Sequence, residues 1–198
     1  FGASTRKGGM LGSGHKVSVA DANKHYGSDI AGQLHCEANA SLEFTKSLIV
    51  DHKIDCDLQA SGRLRTAWTP QDYTAMAQAN SSLQKIEPFA ARMIKPNAMT
   101  EHINTPLYFG GLLYEGHACV QPRKLHYGLL QLALDAGVKV FGDQPAHSVK
   151  PRGSGFCITT KNQSIDCEQV LMATNGYTQS RVSKFLARRV LPVPSFII

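Results

Sequence analysis

Two glycine-punctuated segments near opposite ends of the chain constrain it most: GASTRKGG at Gly2–Gly9 and VLMATNGY at Val170–Tyr177. The first is loop chemistry that exposes backbone N–H groups, and the second is an apolar run entering a Gly turn. In doubly wound nucleotide-binding folds, such strand ends and Gly-rich loops are where phosphates and planar cofactors sit. The dinucleotide fingerprint G-x-G-x-x-G occurs nowhere in the 198 residues. The chain therefore reads as a piece of a cofactor enzyme, expected to lack the front unit that would carry that fingerprint.

The pattern between these segments alternates helix and strand. Residues 1–20 read as loop, and Asp29–His52 as a helix with Ile30, Leu34, Ala38, Leu42, Thr45 and Ile49 on one face and Ser28 as its cap. Cys56–Gln59 and Arg63–Trp68 read as strands around Ser61-Gly62. Thr69-Pro70-Gln71-Asp72 is a capped helix start, and that helix runs to about Ile86, before Pro88. Arg92–Ile94 and Tyr108–Tyr114 read as strands, with a helical turn or two in Pro96–Ile103. Gln121–Ala136 is the clearest helix. Leu125, Leu129, Leu132 and Ala136 form an apolar stripe expected to be core, and Gly137 stops it. Val138–Phe141 follows at once, so helix, Gly and strand read as half of a βαβ unit with a parallel strand. His147–Lys150, Gly155–Thr160 and Gln163–Cys167 read as an antiparallel meander, and Val170–Ala173 as a buried strand.

These textures imply an α/β fold, α+β in part: a partial doubly wound FAD/NAD(P)-type domain with an inserted antiparallel β-rich layer. The expected division is residues 1–55 and 119–185 for the cofactor domain, 56–118 for the substrate layer and 186–198 for the start of a return to it.

Composition narrows the function. Hydrophobic residues make up 42% and charged residues 18%, an ordinary globular balance. No apolar run reaches the ~18 residues of a membrane span, and no secretory signal pattern is present. The net charge of +6 is spread out, apart from Lys184, Arg188 and Arg189, which argues against nucleic acid and is compatible with an anionic cofactor or substrate. The five cysteines form no C-x-x-C pair and the eight histidines no H-x-x-x-H pair. That pattern predicts no metal site, no disulfide framework and a reducing, cytoplasmic setting. Cys56, Cys157 and Cys167 lie in strand-like runs and are expected to be buried thiols.

At this point the residues carry a family signature. GASTRKGG resembles the G-A-S-G-R-N-G-G loop of FAD-dependent oxidoreductases of the D-amino-acid oxidase and glycine oxidase superfamily. With IDCDLQASGRL, GGLLYEGHACVQPRKL and VLMATNGYT in the same order and spacing, the chain looks most like the gamma-glutamylputrescine oxidoreductase branch. The resemblance implies an internal fragment, lacking the N-terminal G-x-G-x-x-G unit and the C-terminal part. It implies FAD as cofactor, approached by the Ser4–Gly9 loop, with Ser4, Arg6, Lys7, Gly8 and Gly9 as contacts. Lys7 stands where the family has Asn, and Thr5 where it has the third Gly. Val149 matches the position whose backbone contacts the adenine, and Ala173, Thr174 and Gly176 match the turn that passes the FAD. The chemistry implied is oxidation of a primary or secondary amine, an amino acid or polyamine derivative, by hydride transfer to the flavin. The imine then hydrolyses, and O2 or another acceptor reoxidises the cofactor.

No nucleophile–base pair or paired carboxylate stands out, because a neutral amine needs only positioning against the flavin. His117, in the segment that related enzymes bring toward the substrate cavity, is the one catalytic candidate. Tyr108, Tyr114 and Trp68 line a pocket or pack in the core. Arg123 and Lys124 oppose the dipole at a helix start and call for an anion or an acidic neighbour. Two other readings stay open: a catalytically inactive remnant, and an interaction module unable to bind FAD alone.

Overall fold

The computed structural model describes residues 2–191 and 193. Their fold is mixed α/β, helices with small antiparallel sheets. It divides into two compact units, residues 1–137 and 138–198.

The first unit begins with a 3-10 turn at Ala3–Thr5, then β1 (Met10–Leu11), α1 (Val19–Tyr26), α2 (Ser28–Asp51), β2 (Arg63–Thr66) and α3 (Pro70–Ile86). It continues with β3 (Ala91–Ile94), a 3-10 segment at Pro96–Glu101, β4 (Gly111–Tyr114), β5 (Ala118–Cys119) and α4 (Pro122–Asp135). A three-stranded antiparallel sheet has the order β2-β4-β3, and β1 pairs antiparallel with β5. In the second unit, β6 (Ser148–Arg152), β7 (Gly155–Thr159) and β8 (Ser164–Cys167) form the expected meander. A 3-10 turn at Asn175–Tyr177 and the short helix α5 (Lys184–Ala187) follow.

Local chemistry explains the best-defined helix. Asp72 N–H donates to Thr69 Oγ1 at 3.1 Å, and Thr69 N–H donates to Asp72 Oδ2 at 3.0 Å, a reciprocal capping box with Pro70 in the first turn. Thr69→Ala is expected to lower stability by about 1 kcal/mol in urea denaturation, because two helix-end donors lose their acceptors or their geometry.

Packing finishes the unit. α3 lays Met76 and Tyr73 on one sheet face, where Ala67 and Leu112 are buried and Ala91, Met93 and Tyr114 pack alongside. A second cluster joins Ile49 at the end of α2, Cys56 and Val120, flanked by Leu11, Ile54, Leu58 and Leu125. It holds the β1–β5 pair against the start of α4.

Several expectations are corrected. α1 lies where the sequence reads partly as loop: its VADANKHY is short, and Ser18 caps it, its Oγ accepting from Asp21 N–H at 3.1 Å. Ser28 is the first residue of α2 rather than its cap, which is Gly27. Cys56–Gln59 is no strand; Gln59 alone bridges to Cys119. Val138–Phe141 and Val170–Ala173 carry no strand, and every strand pair among the described residues is antiparallel. A strand is a hydrogen-bonded relationship, and neither run finds a neighbour among those residues. The α4 stripe reaches core only at its start: Leu125 packs on the Ile49–Cys56–Val120 cluster, whereas Leu129 is 40% exposed and α4 holds no buried residue. Cys56 is buried, but Cys157 and Cys167 are only half-buried. Among the described residues, no helix is long and apolar enough to cross a membrane.

Candidate functional site

The Gly-rich loop folds as a tight turn. Arg6 N–H donates to Ala3 O at 3.1 Å, and the Ala3–Thr5 turn packs against α4. Beyond the turn, the backbone N–H groups of Lys7 and Gly8 have no hydrogen-bond partner among the described residues. A Cβ added at Gly8 would meet nothing within 4 Å, so this stretch faces open space. Gly9 is the opposite case. Its φ is +77°, Val120 N–H donates to its carbonyl at 2.8 Å, and any Cβ there would run into the Val120 carbonyl. Gly9 pins the loop to the chain beside β5, and Gly8 presents it. Free N–H donors with Arg6 and Lys7 alongside suit a pyrophosphate. The donor set therefore fits FAD: Lys7 supplies charge where the family has the Asn amide.

The start of α4 satisfies its own cations. Gln121 Oε1 accepts from Lys124 N–H at 2.8 Å, and Lys124 Nζ pairs with Asp57 Oδ1 at 2.7 Å. That hydrogen bond to Asp57 raises the Lys124 pKa above the usual lysine range. Asp57 is thus the acidic neighbour that offsets the unfavourable dipole. Arg123 instead lies over the Tyr127 ring, 5.5 Å from its centroid.

His117 sits in the turn before β5, only 4% exposed. Its ring stacks on Tyr114 at 4.7 Å, and its Nε2 accepts from Ser13 N–H at 3.2 Å. An Nε2 that accepts puts the proton of the neutral ring on Nδ1, and Nδ1 is buried without a partner. Burial, with Arg63 and then Lys46 nearby, pushes the His117 pKa below its ordinary value of 6.5. His117 therefore ties Gly12–Ser13, just beyond the Gly-rich loop, to the end of β4. The sign of the pH effect follows. Folded His117 resists protonation, so its contribution is fully present above the unfolded value near 6.5 and is lost as pH falls through the lower folded value. The urea midpoint is expected to drop between pH 7.5 and 5.5, and the part due to this ring is expected to vanish in His117→Gln.

Trp68 and Tyr108 meet edge-to-face at 4.9 Å, but Trp68 is 63% exposed, so these two neither fill the core nor close a pocket. Tyr114 packs between Phe89 and His117. In the second unit, Val149 is half-buried in β6 opposite Ile158. Ala173 and Thr174 are exposed, and Thr174 precedes the 3-10 turn in which Gly176 N–H donates to Asn175 Oδ1 at 2.8 Å. Among the described residues, no group of three His, Cys, Asp or Glu side chains could hold a metal ion.

Residues the sequence reading passed over border the same region. Ser13, Asn39 and Glu87 join His117, the candidate named from the sequence, in lining a pocket of about 260 Å³. Arg63 and Arg65 line a larger cavity, and their period-2 spacing was the signal that could have found them.

Known proteins were compared with this geometry. The DAO family, described as FAD dependent oxidoreductase, matches residues 1–198. A probable oxidoreductase, OrdL, of Rhizobium meliloti (strain 1021) is 26% identical over 99% of this chain and 46% of its own. Gamma-glutamylputrescine oxidoreductase of Escherichia coli (strain K12) is 24% identical over 100% of this chain and 46% of its own. The chain thus spans about half the length of these curated relatives. Among solved structures, glycine oxidase from Geobacillus kaustophilus superposes with a TM-score of 0.72 at 18% identity, over 93% of this chain and 48% of that one. The matching fold and a family match along the whole chain agree: this chain belongs to the DAO family of FAD-dependent oxidoreductases.

Proposed function

We propose that the protein to which this chain belongs oxidises a primary or secondary amine, an amino acid or polyamine derivative, with FAD as its cofactor. The family match over residues 1–198 carries the reading, and the names of the gamma-glutamylputrescine and glycine oxidase relatives support the substrate class. When bound, FAD supplies the acceptor for the hydride that leaves the carbon beside nitrogen; the imine then hydrolyses, and O2 or another acceptor takes the electrons.

The chain's own residues do the holding. Ser4, Arg6, Lys7, Gly8 and Gly9 form the loop for the cofactor's phosphates, with Gly8 leaving room for close approach. Val149, Ala173, Thr174 and Gly176 are proposed as further contacts from the second unit. His117 acts as a positioning residue: its neutral ring holds Ser13 and, through it, the segment that follows the flavin loop. A reducing cytoplasmic setting is supported by five cysteines that are all free.

The test is a visible absorption spectrum of the purified chain after incubation with excess FAD and desalting, repeated with Gly8→Val. Retained flavin bands in the parent chain, and at least about tenfold weaker retention in the variant, are expected from a blocked phosphate approach. Flavin that washes out of both equally would overturn the loop assignment. A second reading, an interaction module, is favoured by the exposed Leu129 and Leu134 on α4; a sedimentation coefficient that rises with protein concentration would support it.

A further inference from the structure

We infer that the cavity between α1, α2, α3 and the β2 side of the sheet is a binding site for an organic carboxylate carried on an apolar stem. Its volume is about 730 Å³, within the usual range of small-molecule sites. This goes beyond the amine-oxidation reading, since it needs neither flavin nor turnover.

The charge of the walls decides the ligand's sign. Lys16, Arg63 and Arg65 line the cavity with His15 and His35, and no aspartate or glutamate does. Sheet register explains why both arginines are there. Arg63 stands opposite Tyr114 and Arg65 opposite Leu112, and directly opposed residues share a face. Tyr114 and Leu112 also line the cavity.

Four cations elsewhere pair with acids, Lys46 with Glu43, Arg92 with Glu115, Lys124 with Asp57 and Arg152 with Asp166. Lys16, Arg63 and Arg65 have no such partner among the described residues. Two guanidinium groups two residues apart on one strand repel each other, and a shared anion relieves that repulsion. A planar carboxylate matches their fork of N–H donors.

The remaining wall is apolar, with Met76, Leu83, Ile86 and Phe89 beside Leu112. It suits a stem of several carbons rather than a small inorganic ion. Asn80 also lines the cavity, and its buried Oδ1 has no partner. A buried acceptor left unmatched is costly, and a ligand that carries a donor on its stem would supply the missing bond.

The experiment is isothermal titration of the chain with sodium hexanoate, hexylamine and hexanol at low salt. Hexanoate is expected to bind, hexanol at least about tenfold more weakly and hexylamine not at all, because only the carboxylate pairs with the arginines. Arg63→Gln and Arg65→Gln are each expected to weaken hexanoate by about tenfold. Both side chains are exposed and unpartnered, so the fold should tolerate the change, and circular dichroism checks this. Arg92→Gln, which alters the opposite sheet face, should leave hexanoate binding unchanged. The inference is overturned if hexanoate does not bind, if hexylamine or hexanol binds as well as hexanoate, or if both cavity variants bind it like the parent. The comparison of the three probes needs no variant, so a poorly folding substitution would not shield the idea from failure.

Discussion

Gly110→Ala is expected to destabilise the first unit by at least about 3 kcal/mol, lowering its melting midpoint by roughly 6–12 °C. Gly110 is buried where the chain enters β4, with φ at +92°. A Cβ there would lie 2.6 Å from the Ile94 carbonyl oxygen and 2.6 Å from the Tyr73 ring. The tyrosine could rotate away only by leaving the core cluster it shares with Met76 and Leu112. The carbonyl belongs to β3 and cannot move without loosening the β3–β4 ladder. Gly110 also has its carbonyl fixed, since Ala67 N–H donates to it at 2.9 Å. Strain and overlap therefore add. Thermal unfolding followed by circular dichroism reads the result, and a midpoint within about 2 °C of the parent would show that β4 has room the structure does not display.

Leu112→Ala is expected to cost about 2–5 kcal/mol, the usual range for a large-to-small change in a core. Leu112 is 4% exposed and packs with Ala67 and Met76. On its other side lies the large cavity, which three helices and a sheet hold open. The void left by the lost side chain merges with that space, and Ala67 is too small to fill it. Leu112→Met keeps the volume and should cost less than about 1.5 kcal/mol. Urea denaturation of both variants distinguishes cavity formation from any damage to β4 itself, which would affect the two alike.

The elements that were legible in the sequence are those whose stabilising partners lie close by in the chain. Thr69, Pro70 and Asp72 announce α3 because a capping box closes within four residues. α4 was bounded correctly by Gln121 and Gly137 for the same reason, and the meander follows from short alternating runs joined by turns. The loop character of Gly2–Gly9 was legible, since a Gly-rich stretch leaves backbone groups such as those at Gly8 open. What misled was distance. Val138–Phe141 and Val170–Ala173 have strand composition, but a strand needs a neighbour that composition does not supply. The Leu129 stripe has the period of a buried face, but period says nothing about whether a covering layer is present.

By itself, then, the sequence determined the helices with strong caps, the antiparallel meander and, through four motifs in register, the family. Only the tertiary structure decided that His117 is buried and bonded to Ser13, a residue 104 positions away, with its Nδ1 left unpartnered. Only it placed Arg63 and Arg65 on a cavity wall without a facing acid. Caps and turns are contests between neighbouring groups, whereas burial and charge pairing depend on which distant segments the fold brings together.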